Sequence, residues 1–146
     1  MAGYSKRSLV EKLGIKEGHE AYIGNAPANY LKILGPLPAK TVLKKSLQGP
    51  VDFIQFFSKE RSGLEAEFPR LKKNLAVNGA LWVSWPKGAS GVKTDLNENI
   101  AREIGLKNGM VDIKVCAVDE VWSGLKFVVR VKDRVAGGGS PAARKP

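Results

Sequence analysis

Apolar positions in this chain follow two rhythms. Short, nearly continuous apolar runs bounded by Gly, Pro and Asn predict strands at about 20–24, 41–44, 51–57 (VDFIQFF), 80–85 (ALWVSW), 110–118 (MVDIKVCAV) and 124–131 (GLKFVVRV). The third and fourth runs are near-continuous apolar runs, as expected of central parallel strands covered on both faces. Between them, Leu64, Phe68, Leu71 and Leu75 recur at spacings of four, three and four, one face of a helix that Pro69 is expected to kink or restart. Leu96, Ile100 and Ile104 form another helical stripe, with Asp95 and Glu98 at capping-box spacing. Ser8 and Glu11 have the same spacing ahead of Leu9, Val10 and Leu13, and Gly14 can end that short helix. Asn25 and Pro27 suggest the cap and first turn of a helix carrying Tyr30, Leu31 and Leu34.

One phrase recurs. LGIKEGHEAYI at 13–23 resembles IGLKNGMVDIK at 104–114, with VNGALWV at 77–83 as a shorter version. Each reads as a helix end, a glycine supplying positive φ, and then a strand. The predicted order is β-α-β-β-α-β-α-β-β behind an N-terminal helix, which argues for a mostly parallel sheet with helices on its faces. The short connection 119–123 makes the last two strands an antiparallel hairpin. The expected organisation is an N-terminal segment over 1–12, a single α/β domain over 13–131 and a basic tail over 132–146. The final AGGGSPAARKP has the composition of a disordered end.

Composition narrows the function classes. The chain has 146 residues, 43% of them apolar and 26% charged, enough for one sizeable core. No run approaches the roughly 20 apolar residues of a membrane span, and the first residues lack the apolar stretch of a secretory signal. The expected setting is therefore the cytoplasm. Cys116 is the single cysteine and lies in an apolar run, which reads as a buried, inert thiol. With one His and one Cys, no standard zinc cluster assembles within one chain. His19 reads as a polar residue where the first strand begins. The net charge of +10 raises the question of nucleic acid. Residues 1–8 carry Lys6 and Arg7, and 130–146 carry Arg130, Lys132, Arg134, Arg144 and Lys145 against Asp133. More than half of the net charge thus sits in the ends, suited at most to salt-sensitive, non-specific nucleic-acid contact.

Candidate chemistry follows from topology, because ligands of open α/β sheets bind outside the carboxyl ends of the strands at the switch point. Segments 25–30, 85–94 and 119–123 should converge there. The candidate ligand-binding residues are Asn25, Trp85, Lys87, Ser90, Lys93, Thr94, Asp119, Trp122 and Ser123. Lys87 and Lys93 can pair with a small anionic or nucleotide-like ligand, and Ser90 and Thr94 can add hydrogen bonds. The competing reading makes both lysines solvated loop charges and Thr94 and Asp95 a helix cap. Asp119 and Glu120 are paired turn carboxylates beside Trp122, which more often face water than catalyse. No catalytic set is visible.

From 51 to 131 the chain resembles class I S-adenosylmethionine-dependent methyltransferases. The resemblance rests on Asp52 in VDFIQFF, RLKKNLAVNGALWVSWP at 70–86, and the terminal hairpin. It implies a truncated Rossmann-like, methyltransferase-like three-layer α/β sandwich, with a mostly parallel sheet of about six strands ending in an antiparallel hairpin. It also implies S-adenosylmethionine as cofactor, but that family's usual binding motifs are absent. The turn after the first strand, IGNAPANY, has one glycine, Gly24, and the second strand ends in Lys44 and Lys45 where an acid would hold the ribose. About seven residues join strands two and three, as if an edge unit were missing. Four phrases resemble a bacterial family defined only as a domain of unknown function: LGIKEGH (13–19), LGPLP (34–38), GALWVSWPKGASGVKTDL (79–96) and VDIKVCAVDEVWSGLKFV (111–128).

Overall fold

In the computed structural model, which describes residues 7–133, the chain opens with the capping box its spacing predicts. Ser8 Oγ accepts from the Glu11 amide at 3.2 Å, and Glu11 Oε1 accepts from the Ser8 amide at 2.9 Å. Helix α1 (Leu9–Leu13) follows and ends at Gly14, whose φ of 88° is left-handed. The remaining elements are β1 (Glu20–Gly24), α2 (Tyr30–Leu34), β2 (Val42–Lys44), β3 (Val51–Phe57), α3 (Arg61–Lys73), β4 (Leu75–Pro86), α4 (Glu98–Lys107), β5 (Met110–Ala117) and β6 (Trp122–Val129). No helix among the described residues is long and apolar enough to cross a membrane. The expected disordered tail lies, beyond Asp133, outside the described residues.

The six strands form one sheet in the order β2-β1-β3-β4-β6-β5. Strands β1 to β4 are mutually parallel, and β6 runs antiparallel between β4 and β5. The chain leaves β1 toward β2 in one direction and β3 toward β4 in the other. Right-handed crossovers then put the intervening helices on opposite faces. Side-chain alternation divides the core accordingly. Ile54, Phe56, Leu81, Val83, Trp85, Leu125 and Phe127 pack under α3 and α4. Phe53, Phe57 and Trp82 pack under α1 and α2. The fold is a Rossmann-like three-layer sandwich with the mostly parallel six-stranded sheet and terminal antiparallel pair expected. Segment 45–50 alone returns from β2 to β3, and among the described residues no further strand flanks β2.

Several local expectations are corrected. VNGALWV is not a helix-strand junction, because α3 ends at Lys73 with Asn74 as its cap and β4 already starts at Leu75. Gly79 sits inside β4, where the register with β3 shifts; a Cβ there would lie 2.8 Å from the Asp52 carbonyl oxygen. Helix α3 does not restart at Pro69. Pro69 is exposed, so the carbonyl that loses its amide donor lies toward water. Asn25 does not cap α2; the cap position is Asn29, and Asn25 turns the chain out of β1 with φ 58°. Leu31 is exposed, while Tyr30 and Leu34 are buried. Asp95 does not cap α4, whose cap is Asn97 accepting from the Ile100 amide at 2.9 Å.

Candidate functional site

The switch point lies between the carboxyl ends of β1 and β3, and a cleft of about 600 Å³ opens there. Asn25 and Ala26 leave β1 on one side. On the other, Ser58, Lys59 and Glu60 leave β3, and Gly63, Ala66 and Glu67 present the first turns of α3. Trp122, at the start of β6, lies along the same cleft against Phe57. The small residues Gly63 and Ala66, three apart on one helix face, keep it open. Asn25 adopts the left-handed turn that asparagine tolerates better than most side chains.

Behind the lining residue Phe57 lies a layer of aromatic rings and buried hydrogen bonds. Phe57 meets Trp122 edge-on at 5.0 Å and Tyr30 at 4.7 Å. The Tyr30 hydroxyl donates to Gln55 Oε1 at 2.6 Å, and Gln55 Nε2 donates to Ser84 Oγ at 3.1 Å. Gln55 and Ser84 are fully buried, and burial pushes the Tyr30 phenol well above its ordinary range. A neutral phenol locked to a buried amide backs Phe57 from outside the cleft lining; it is not a base for chemistry in the cleft.

A second hollow of about 430 Å³ adjoins, lined by Lys59, Glu60, Lys93, Thr94 and Asp95. Here the loop after β4 is pinned to the loop after β3. Thr94 Oγ1 donates to the Lys59 carbonyl at 2.6 Å, the Asp95 amide donates to the same carbonyl at 3.4 Å, and Asp95 Oδ1 accepts from the Arg61 amide at 2.6 Å. Asp95 therefore caps α3 from across the sheet edge, placing a carboxylate at that helix's N-terminus. Glu67 is bound to Arg70 at 2.7 Å. The ammonium groups of Lys59, Lys87 and Lys93 and the carboxylate of Glu60 have no ion-pair partner among the described residues. The walls thus carry unpaired charge of both signs.

Of the residues expected from sequence, Asn25 and Trp122 line the main cleft, and Lys93 and Thr94 line the adjoining hollow. Trp85 is buried in the core beneath α3 and α4, facing neither. Ser90 closes its own turn, donating to the Lys87 carbonyl at 2.7 Å and accepting from the Val92 amide at 3.1 Å. The Lys87 amide holds the Val121 carbonyl at 2.7 Å. Asp119 Oδ1 accepts from the Val121 and Trp122 amides, each at 2.8 Å, and so shapes the hairpin turn. Ser123 is paired between Trp85 and Ala117 within the sheet. Ser58, Lys59, Glu60, Gly63, Ala66 and Glu67 are cleft residues that sequence reasoning missed. The signal was available, since FFSKE leaves the carboxyl end of a central parallel strand. His19 Nδ1 accepts from the Lys16 amide at 3.1 Å, where β1 begins. Cys116 is half-buried, and burial pushes its thiol up.

The chain's residues do not fit S-adenosylmethionine in the pose the resemblance implies. A Cβ on Gly24 would lie 3.0 Å from the rings of both Phe56 and Tyr22, so this glycine makes room for the protein's own side chains. At the end of β2, Lys44 Nζ pairs with Glu20 at 3.4 Å, and no acid occupies the ribose position.

No family model and no curated protein matches the chain. Solved structures do. The chain aligns over 84% of its length with 74% of a magnesium protoporphyrin IX methyltransferase from Synechocystis with bound SAM, at 11% identity and a TM-score of 0.55. It aligns over 83% of its length with 88% of a SAM-dependent methyltransferase from Aquifex aeolicus, at 17% identity and a TM-score of 0.53. It also aligns over 88% of its length with 91% of a TehB-like SAM-dependent methyltransferase from Corynebacterium glutamicum, at 8% identity and a TM-score of 0.52. The fold is therefore similar to that of class I methyltransferases, at distant sequence identity.

Proposed function

We propose that this protein is a non-catalytic binder of a small, nucleoside-like ligand, held in the cleft between the carboxyl ends of β1 and β3. One observation carries the reading: the cleft lies at the switch point with Trp122 along it, yet its walls hold no nucleophile-base pair and no fitting cofactor cradle. Trp122 offers an aromatic contact for a planar ring, Asn25 offers hydrogen bonds, and Lys59 and Lys93 offer charge for an anionic group. The resemblance of four phrases to a bacterial family of unknown function belongs to the same proposal, as does a cytoplasmic setting. A thermal-shift panel of adenosine, guanosine and their monophosphates tests it. At least one ligand is expected to raise the melting temperature, and Trp122→Ala should remove the shift. No shift with any of them at millimolar concentration would refute the reading.

The shared fold favours a second reading, a methyltransferase with an atypical cofactor site. Calorimetric titration with S-adenosylmethionine separates the two. Saturable heat supports it, and none near millimolar concentration removes it.

A further inference from the structure

On the sheet face covered by α1, four lysines gather without an acid among them. Lys114 on β5 and Lys126 on β6 are direct cross-strand partners, a placement that is destabilising for like charges. Lys126 Nζ lies 3.5 Å from where a Cβ on Gly14 would stand, under the turn that ends α1. Lys114 Nζ donates to the Lys12 carbonyl at 3.4 Å, which brings Lys12 and the C-terminal end of α1 to the same place. Burial, with the charges of Lys114 and Lys16, lowers the Lys126 ammonium below its ordinary range. All 14 acidic side chains of the chain belong to the described residues, and none forms an ion pair with Lys12, Lys16, Lys114 or Lys126. Glu11, beside Lys12 in sequence, is committed to the capping box.

A fold that keeps four mutually repelling cations together stands to gain from an anion that bridges them. We propose that Lys12, Lys16, Lys114 and Lys126 form a binding site for a compact, multiply charged phosphate anion of the polyphosphate class. The grouping is local, around one half-buried ammonium, and so matches a small polyanion better than an extended backbone. It is separate from the cleft, because Lys126 lies four residues beyond Trp122 on β6, about 13 Å along the strand.

Calorimetric titration of the full chain with inorganic tripolyphosphate at low salt is the test. Saturable one-to-one binding is expected, weakened about tenfold or more by Lys114→Gln and by Lys126→Met. Lys73→Gln, at the exposed end of α3, should leave it unchanged. Absence of saturable heat at millimolar concentration overturns the proposal. Equal weakening by Lys73→Gln also overturns it, since that marks diffuse attraction. Lys126→Met keeps the apolar stem, and circular dichroism melting shows whether it folds; a folded variant that binds as tightly as the parent overturns the site. Lys114→Gln, at an exposed strand position, carries the same test should Lys126→Met fail to fold. A single-stranded oligonucleotide that binds more tightly than tripolyphosphate through these lysines would overturn the compact ligand.

Discussion

Replacing Tyr30 with Phe removes one oxygen from beneath the cleft and leaves the ring that meets Phe57 at 4.7 Å in place. The lost hydroxyl is the donor to Gln55 Oε1 at 2.6 Å. Gln55 is 0% exposed, so no solvent reaches the vacated acceptor. An unpaired buried acceptor costs about 1–3 kcal/mol, and a value near the middle, about 2 kcal/mol, is expected here. In urea this should lower the midpoint by about 1 M with the slope unchanged. On heating, the melting temperature should fall by about 6 °C. Combining Tyr30→Phe with Gln55→Met removes the orphaned acceptor as well, so the two losses should be less than additive. A further signature is pH. Burial raises the Tyr30 phenol above its ordinary value of 10, so the folded state holds that proton more tightly than the unfolded chain. The resulting stabilisation is fully present below pH 10 and is lost as pH climbs beyond it. Tyr30→Phe lacks this dependence, so the stability gap between parent and variant should narrow above pH 10. A loss below about 0.5 kcal/mol at neutral pH, or a gap that widens above pH 10, would refute the account of the buried network.

Gly105→Ala would drive a methyl group from α4 into the Phe127 ring, which itself meets Phe68 edge-on at 5.6 Å. Overpacking of this kind should cost about 1–3 kcal/mol in urea unfolding, and a neutral result would show that the ring can move aside. Asp95→Ala removes the acceptor of the Arg61 amide and should cost about 1 kcal/mol, most of it recovered by Asp95→Asn. Lys126→Met should be more stable than the parent at neutral pH. The lowered ammonium of Lys126 disfavours folding while charged, and that penalty fades as pH rises toward its ordinary 10.5, so the advantage should shrink there. A variant less stable than the parent at neutral pH would count against repulsion within the lysine group.

Much of the architecture was legible because it depends on local rules. VDFIQFF carries too few polar side chains for any place but the sheet centre, and it is β3, between β1 and β4. The Ser8–Glu11 box formed because both its hydrogen bonds lie within one helical turn. The Gly109 junction ahead of β5 was legible in the same way, with a φ of 82° that favours glycine. VNGALWV has the same written form as the Gly109 phrase, yet it lies inside β4. Which glycine ends a helix and which sits in a strand depends on the backbone packed beside it, here the Asp52 carbonyl near Gly79.

The cleft shows the same division. Topology reasoning pointed to the carboxyl edge of the sheet, because ligands of open α/β sheets bind outside the carboxyl ends of the strands at the switch point. It could not rank the side chains there. Trp85 and Trp122 look alike in sequence, one at the end of a strand and one at the start of another. The pleat sends Trp85 into the core under α3 and α4 and leaves Trp122 along the cleft. Asp95 has the spacing to cap its own helix but serves α3, 34 residues earlier. The pairing of Lys114 with Lys126 is likewise invisible along the chain, since it depends on a register shift in β5 between Asp112 and Lys114. Element type and strand direction follow from short-range periodicity and hold in many contexts. Side-chain partners are decided by register and packing, where a shift of one residue exchanges one face of the sheet for the other.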